Sequence, residues 1–284
     1  MENILIVPNR KKDIDLIQTK RVVDKLVSLG FNVYALNKHI GDVDIGIGVC
    51  EEIPSTLDLI IVIGGDGSFI DASSYAIAFD IPILGVNLGK VGYLAEVDPD
   101  RLDLLDRLSS GDYFISERML LKADAQGLSE CTEEVRYAVN DIVLSYDGTL
   151  GLSSIKIEDQ QGNSVKYRVD GLIFSTPQGS TAYSLSAGGP ILAHDVEGIV
   201  VSPVAPHSFF NRSVIFNSDE IITVTNVKEK SFNLSVDGRF FGKLAPKGSY
   251  KISKADKKIK MVSFFKNSMF SNLFKKIRIL EDID

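Results

Sequence analysis

Short apolar runs alternate with helical patterns over residues 1–99, and this alternation predicts the fold of the first part of the chain. Residues 14–29 carry apolar side chains at helical spacing, and Gly30 follows where a helix would end. The apolar runs that predict buried strands are 4–7, 31–36, 58–63 and 81–86. Strands that alternate with helices imply right-handed crossovers and a parallel α/β layer.

The spacing of apolar residues along the chain changes after Pro99. A short helix is predicted over 100–108, ending at Gly111, and from Arg118 onward short apolar runs are separated by turn pairs such as Asp237-Gly238. The predicted strands are 118–125, 134–145, 152–159, 164–169, 171–175, 198–202, 212–216, 220–226, 231–236, 239–244 and 249–264. This pattern predicts a β-rich region that resembles a β-sandwich.

We therefore expect two domains: a Rossmann-like α/β domain over residues 1–99 and a β-rich domain over 100–265. The segment 268–283 is amphipathic and locally basic. It predicts a helix that brings residues 266–284 back onto the first domain, with a solvated tail as the alternative.

Composition narrows the class of protein. The chain has 284 residues and a net charge of −7, which gives no overall attraction to nucleic acid or anionic membrane. Cys50 and Cys131 are far apart and fit neither a metal motif nor a disulfide framework, so we expect a reducing cytoplasm. There is no signal-peptide pattern, and no run approaches the roughly 20 apolar residues of a membrane helix.

The richest local pattern is the turn after the third predicted strand, Gly64-Gly65-Asp66-Gly67-Ser68. A strand, a glycine turn and a helix start form an anion site, because backbone N–H groups converge there and glycine admits a phosphate closely. We predict that the helix begins at Ser68, with Asp71 completing a capping box. Asp66 would repel a phosphate unless it holds a cation or takes a proton from an attacking hydroxyl; the alternative is that it caps the helix.

A second unusual stretch is 170–190, which is rich in small and hydroxyl-bearing residues. It predicts a short helix over 180–187 that ends at Gly188. Its N–H groups and hydroxyls suit a ribose, an amide or a phosphate, whereas the alternative is a small-residue helix chosen for close packing.

Other candidate residues are less distinctive. Asn140 and Asp141 interrupt a strand over 139–144, either as a bulge or to face sugar hydroxyls. The three histidines are isolated, so no protein metal site is predicted. The chain lacks a Walker motif, a Gly-x-Gly-x-x-Gly fingerprint and a Gly-x-Ser-x-Gly elbow.

Taken together, these blocks resemble bacterial NAD kinases over nearly the whole chain. Gly-Gly-Asp-Gly alone is shared with diacylglycerol kinases, sphingosine kinases and 6-phosphofructokinases, but the block from Asp170 to Pro190 is far more specific. The blocks that carry the resemblance are 64–68, 87–94, 140–141, 170–190, 203–208 and, more weakly, 237–239.

The resemblance implies an α/β N-terminal domain like that of diacylglycerol kinases and phosphofructokinases, and a β-rich C-terminal domain that carries most of the NAD site. It implies transfer of the γ-phosphoryl group of ATP, or of polyphosphate, to the 2′-hydroxyl of the adenosine ribose of NAD, which yields NADP. It also implies a cytoplasmic homodimer or homotetramer that uses Mg²⁺ or another divalent ion, and we expect ATP and water to hold most of the Mg²⁺.

The resemblance also assigns residues. Asp66 would be the general base, and the residues implied to bind phosphate or nucleotide are Gly64, Gly65, Gly67, Ser68 and Asn87. The residues implied to bind NAD are Asp66, Gly67, Asn140, Asp141, Arg168, Asp170, Thr181, Ala182, Tyr183, Ser184, Leu185, Ser186, Ala205 and Arg239. A further family ligand position falls at Gly151.

Three positions depart from the family pattern. Ser68 stands where threonine is usual and keeps the hydroxyl, Gln178 replaces a threonine, and Arg239 replaces a glutamine that reaches the ligand from a neighbouring subunit. The alternatives for Arg239 are contact with a diphosphate and a side chain that points away from the ligand. The alternatives to an NAD kinase are a lipid or sugar kinase with the same turn and an NAD-binding sensor without activity.

Overall fold

A computed structural model gives the structure of the chain, and it describes residues 1–41, 43–89, 92–146, 153–207, 210–227 and 229–266. The chain forms two compact units, one of residues 1–117 together with the chain from Ile259 and the other of residues 118–258. The first unit extends beyond the expected boundary at Pro99, because Leu104, Leu105 and Leu108 belong to its hydrophobic core.

The first unit is an α/β layer, as predicted. Its strands lie in the order β5-β4-β1-β2-β3 and pair in parallel throughout, and Met261 pairs in parallel with Ile83 of β5. Its elements are β1 (Asn3–Pro8), α1 (Ile17–Ser28), β2 (Asn32–Leu36), α2 (Asn37–Ile40), β3 (Gly48–Cys50), β4 (Leu59–Gly64), α3 (Asp66–Phe79), β5 (Ile83–Asn87), a 3₁₀ turn (Leu102–Leu105) and α4 (Asp106–Ser110).

Helix α1 is shorter than its sequence pattern predicts. It begins at Ile17, and the side chains of Ile14 and Ile17 are 70% and 59% exposed rather than part of the core. The buried face is carried by Val22, Val23 and Leu26. The helix ends as predicted, because Gly30 adopts a left-handed φ of 87°.

Strand β4 sits between β1 and β5, and all six of its residues are buried. A strand covered on both faces needs apolar side chains at every position, which explains the continuous run Leu59–Ile63. The carboxyl ends of β1, β4 and β5 therefore lie side by side, and the loops that follow them share one edge of the sheet.

The second unit is built from antiparallel strands. Its elements, counted from the strand that leads into it, are β6 (Phe114–Asp124), β7 (Val135–Ala138), β8 (Asp141–Tyr146), β9 (Ser153–Glu158), β10 (Ser164–Val169), β11 (Gly171–Ser175), α5 (Tyr183–Ser186), β12 (Gly198–Val204), β13 (Val214–Asn217), β14 (Ile222–Asn226), β15 (Phe232–Val236), β16 (Arg239–Leu244) and β17 (Ser249–Ser263).

Two groups of strands enclose one core in this unit. One sheet has the order β13-β12-β11-β8-β15-β16, and strands β10-β9-β14-β17 follow one another in the other. Leu144 and Phe174 from the first sheet share a hydrophobic cluster with Ile157 and Val224 from the second. This arrangement agrees with the predicted sandwich-like, β-rich domain.

One predicted strand is split. Residues 134–145 form β7 and β8, and Val139 and Asn140 lie between them, because their N–H groups bond to a side chain rather than to a neighbouring strand. Several predictions fall outside the described residues: the turn Asp147-Gly148, the ligand position at Gly151 and the helix over 268–283.

Candidate active site

The turn between β4 and α3 begins its helix earlier than predicted. Helix α3 starts at Asp66, and Gly65 is the N-cap residue with an extended backbone (φ −126°). No side chain caps this end, so the predicted start at Ser68 and the capping box with Asp71 are wrong. The N–H groups of the first helical turn have no intrahelical acceptor and face outward from the glycine turn.

The Asp66 carboxylate is bound by the loop that follows β5. The backbone N–H of Tyr93 lies 2.9 and 2.8 Å from its two oxygens, and the N–H of Leu94 donates to Oδ1 at 3.0 Å. The alternative in which Asp66 caps its own helix is therefore wrong. The carboxylate is held in one position by hydrogen bonds, as a group that must meet a substrate would need to be.

Asn87 shapes the second turn. Its side chain is 4% exposed, donates to the carbonyl of Gly89 at 2.8 Å and accepts from the N–H of Gly89 at 2.9 Å. The N–H of Leu88 donates to the carbonyl of Gly64 at 2.6 Å, which joins the two turns. The amide that was predicted to bind a nucleotide is thus engaged within the turn itself.

The loop after β1 is a third part of this site, and the sequence patterns assigned it no role. Asn9 donates from Nδ2 to the Oγ of Ser68 at 2.6 Å. A Cβ placed on Gly64 would lie 2.6 Å from the same Oγ, so only glycine fits at that position. The signal that could have found this loop is its position after a strand next to β4 in the sheet.

In the second unit, the predicted helix over 180–187 is two separate turns. A 3₁₀ turn spans Gly179–Thr181, α5 spans Tyr183–Ser186, and Ala182 between them leaves the helical region (φ −100°, ψ −127°). A continuous helix N-terminus is therefore not formed. The predicted end is correct, because Gly188 has a φ of 81°.

Buried hydroxyls bind the two turns to different neighbours. Ser180 accepts the N–H of Leu192 through Oγ at 3.0 Å, and the Ser184 hydroxyl lies 2.9 Å from that of Ser202. Both serines are fully buried, and in the folded chain their hydroxyls bond to neighbouring protein groups. Tyr183 and Leu185 are 47% and 36% exposed and remain accessible to a ligand.

The turn before this segment lies against Asn140. Thr176 donates its backbone N–H to the carbonyl of Asn140 at 2.9 Å and its hydroxyl to the carbonyl of Val139 at 2.6 Å. A Cβ built on Gly179 would lie 2.1 Å from the Asn140 carbonyl oxygen, so glycine is required there. The structure thus brings Asn140 to the beginning of the 179–186 segment.

Asp237 supports Asn140 from the other side, and the sequence patterns assigned it no role beyond a turn. Its carboxylate accepts the backbone N–H groups of Val139, Asn140 and Asp141 at 2.8, 2.8 and 3.0 Å. Burial raises the pKa of Asp237, against these three hydrogen bonds. Burial, followed by repulsion from Asp237, raises the pKa of Asp141 to about 7.

Three other predicted residues lie close together in the sheet. Asp170 directly precedes β11, whose Gly171 pairs with Val204, and Ala205 follows Val204 with a φ of 46°. The carbonyl of Arg168 accepts the N–H of His207 at 2.7 Å. Arg168, Asp170 and Ala205 are exposed and therefore available to a ligand.

Arg239 opens β16 directly after the Asp237-Gly238 turn, and its side chain is exposed. Gln178, in contrast, is buried at 4% exposure. Among the described ranges, no three acidic, histidine or cysteine side chains come together as a metal ion would need. No helix in the described part of the chain has the length and apolar character needed to cross a membrane.

Each of the two units matches the profile of a known domain family. The profile of the ATP-NAD kinase N-terminal domain matches residues 4–113, and that of the ATP-NAD kinase C-terminal domain matches residues 139–264. This chain belongs to the NAD kinase family. It is accordingly a transferase of the kinase class, as the resemblance of its motifs predicted.

Bacterial members of the NAD kinase family match over the full length. The chain is 34% identical over 282 residues to the NAD kinase of Caldanaerobacter subterraneus, which covers 97% of this chain and 98% of that protein. It is 33% identical over 285 residues to the NAD kinase of Natranaerobius thermophilus, with 98% of each covered. Membership of this family removes the alternative of a lipid or sugar kinase.

Solved structures of NAD kinase relatives share the fold. A yeast NADH kinase complexed with NADH has a TM-score of 0.79 at 21% identity, with 98% of this chain and 86% of that chain covered. An NAD kinase from Archaeoglobus fulgidus in complex with ATP has a TM-score of 0.72 at 22% identity, with 98% and 99% covered. The α/β and β-rich architecture is thus that of the family.

Proposed function

We propose that this chain transfers the γ-phosphoryl group of ATP to the 2′-hydroxyl of the adenosine ribose of NAD, with Asp66 as the general base. The observation that carries the proposal is the Asp66 carboxylate, which Tyr93 and Leu94 hold at the start of α3 beside the glycine turns. An oriented carboxylate next to a phosphate-binding turn suits a reaction in which a hydroxyl attacks a phosphoryl group.

The reaction balances with these groups. The ribose oxygen forms a bond to the γ-phosphorus, the bond between that phosphorus and the β,γ-bridging oxygen breaks, and ADP leaves. Asp66 accepts the hydroxyl proton as the new bond forms. The N–H groups at the start of α3 and the turn residues Gly64–Ser68 bind phosphate oxygens. The transfer needs positioning and charge stabilisation and no covalent bond to the protein.

The NAD molecule is proposed to bind through residues of the second unit. Asn140 and Asp141 would hold sugar hydroxyls or the nicotinamide end, and Asp170 with Arg168 would lie beside the nicotinamide ribose. The adenosine half would contact the segment from Thr181 to Ser186 and the wall at Ala205. Support comes from the structure of this unit, in which Asp237 and Thr176 hold Asn140 in place.

A divalent cation, Mg²⁺ in our proposal, would be bound by the phosphate oxygens of ATP and by water, since the described residues offer no cluster of three ligands. When bound it would neutralise phosphate charge. Polyphosphate is proposed as a second donor. We further propose a cytoplasmic homodimer or homotetramer, and the two free cysteines agree with a reducing compartment.

A coupled assay tests the proposal. The purified chain is incubated with Mg²⁺, with ATP or polyphosphate as donor and NAD or NADH as acceptor, and NADP or NADPH is measured. We expect NADP from ATP and NAD. Calorimetric binding of NAD without any phosphorylated product would contradict the proposal and identify the chain as an NAD-binding sensor.

A further inference from the structure

Lys12 places its ammonium group against both glycine turns of the first unit. A Cβ built on Gly65 would lie 2.8 Å from the Nζ of Lys12, and one built on Gly89 would lie 3.6 Å from it. One cation is therefore adjacent to the turn after β4 and to the turn after β5. The loop that carries it follows β1, the neighbour of β4 in the sheet.

The backbone of this loop is fixed at both ends. Asn9 accepts the N–H groups of Lys11 and Lys12 through Oδ1 at 3.0 and 3.2 Å, while its Nδ2 is bonded to Ser68. At the other end, the buried carboxylate of Asp13 accepts the N–H of Thr19 at 2.7 Å. Lys12 thus extends from a short loop whose position is set by the catalytic turn and by α1.

Two other cations of the first unit are used differently. Arg10 donates from Nη1 to the carbonyl of Ile40 at 2.6 Å, which directs it toward the end of α2. Lys38 lies over the ring of Tyr75, 5.0 Å from its centroid. Within the described part of the chain, Lys12 forms no salt bridge with an acid.

We propose that Lys12 binds the phosphate chain of the donor at the two glycine turns. This inference rests on the proposed function, because it names the residue that offsets the charge of Asp66 in a phosphate site. A lysine ammonium is a compact charge with three donors that suits phosphate oxygens. A phosphate between Lys12 and the N–H groups of α3 would meet positive potential despite the carboxylate.

The test compares Lys12→Ala with Lys12→Arg and with Lys11→Ala, which removes another exposed lysine one position earlier. We expect Lys12→Ala to lower kcat/KM for ATP and for polyphosphate by about tenfold or more. The affinity for NAD, measured by calorimetry, stays unchanged. Lys12→Arg restores part of the loss, and Lys11→Ala stays within about twofold of the unaltered chain.

Calorimetric titration with ATP alone separates this inference from the function on which it rests. If the unaltered chain forms no phosphorylated product, the proposed function fails, whereas weaker ATP binding by Lys12→Ala would still support a phosphate contact. If Lys12→Ala binds and uses ATP like the unaltered chain, Lys12 is not a phosphate ligand and the inference is overturned. Thermal melting confirms that each variant is folded.

Discussion

The carboxylate of Asp237 holds the backbone N–H of Asn140 at 2.8 Å, although the two residues are 97 positions apart in the chain. The same carboxylate binds the N–H groups of Val139 and Asp141. Asp237 lies in a tight turn, where it adopts a left-handed φ of 48°. The position of the predicted NAD ligands Asn140 and Asp141 therefore depends on a side chain from a different hairpin.

Replacement of Asp237 should weaken NAD binding. Asp237→Ala removes the acceptor of three N–H groups, and each buried unsatisfied donor costs about 1–3 kcal/mol. We expect the Kd for NAD to rise about tenfold or more, with Asp237→Asn intermediate because asparagine keeps one oxygen and tolerates the left-handed turn. Calorimetric titration with NAD measures this series.

Asp159→Ala is the matched control. Asp159 also accepts backbone N–H groups in a hairpin turn, from Gln161 and Asn163, but this turn joins β9 and β10 and is exposed. The affinity of the Asp159→Ala protein for NAD should equal that of the unaltered chain. A folded Asp237→Ala protein with unchanged NAD affinity would show that Asp237 does not position the ligand.

Asp141 should make stability depend on pH. Its pKa is about 7 in the folded chain against an ordinary value of 3.8, so between these values the folded chain binds a proton that the unfolded chain has released. The contribution of Asp141 to stability is therefore fully present below its ordinary pKa of 3.8. It is lost as the pH rises through the folded-state pKa of about 7. Asp141→Asn, which carries no charge, lacks this loss.

Urea unfolding at about pH 5 and about pH 8 checks the sign. Relative to the unaltered chain, Asp141→Asn should become more stable as the pH is raised between these values. Asp159→Asn serves as reference: hydrogen bonds from Asn163 hold the pKa of Asp159 below its ordinary value, so its effect should be constant over this range. If the free energies of unfolding of Asp141→Asn and of the unaltered chain differ by the same amount at both pH values, the raised pKa of Asp141 is contradicted.

Asp66→Asn should lower turnover by the large factor that a general base contributes and leave NAD binding intact. Asparagine keeps an oxygen that can accept the N–H of Tyr93 or Leu94, so the turn survives, but the amide cannot take up a proton. General bases contribute about 10²–10⁴-fold, and we expect kcat to fall within that range. The coupled NADP assay and calorimetry provide the two measurements.

The control for this variant is Asp71→Asn, an exposed aspartate one turn further along α3. Its kcat should match that of the unaltered chain. An Asp66→Asn enzyme that retains more than about a tenth of the original rate would rule out Asp66 as the base.

Two glycines of the same turn should respond differently to alanine. A Cβ on Gly64 would lie 2.7 Å from the Cβ of Ser68, whereas nothing lies within 4 Å of a Cβ on Gly67. Gly64→Ala should lower the free energy of unfolding by about 1–3 kcal/mol, and Gly67→Ala should leave the packing undisturbed. Urea unfolding measures both.

The KM for ATP, measured for Gly64→Ala and Gly67→Ala, separates an effect on phosphate binding from an effect on folding. If phosphate approaches the turn at Gly67, Gly67→Ala raises the KM for ATP while its unfolding midpoint stays near that of the unaltered chain. A Gly67→Ala enzyme with unchanged KM would place the phosphate elsewhere on the turn.

Local patterns predicted much of the fold. The apolar run of β4, the helix ends at Gly30 and Gly188, and most strands of the second unit follow from side-chain period and turn chemistry. The sequence pattern places the start of α3 too late, because Gly67 is a poor helix former and the helical spacing of apolar residues begins only after it. The break between the turns of Ser180 and Ser184 was not predicted either, and both side chains bond to groups that are distant in sequence.

The support of the candidate site could not be predicted in the same way. Asp66 finds its partners in Tyr93 and Leu94, Asp237 in Asn140, and Lys12 lies beside Gly65 and Gly89. Each contact joins loops that are distant in sequence and meet only once the strands have paired. A single sequence carries no periodic signal for such contacts, although the order of parallel strands limits which loops can meet.

The pairing of Met261 with Ile83 has a consequence for synthesis of the chain. Val262 and Phe264 lie in the same hydrophobic core as the first strands, so this core requires residues from both parts of the sequence. On the ribosome, Gly85 and Asn87 of β5 can bond to Glu96 and Val97 at once, but Ile83 at the start of this strand lacks its partner until the segment from Ile259 has been released. The ribosome therefore synthesises the whole second unit, residues 118–258, before the core of the first unit can be completed.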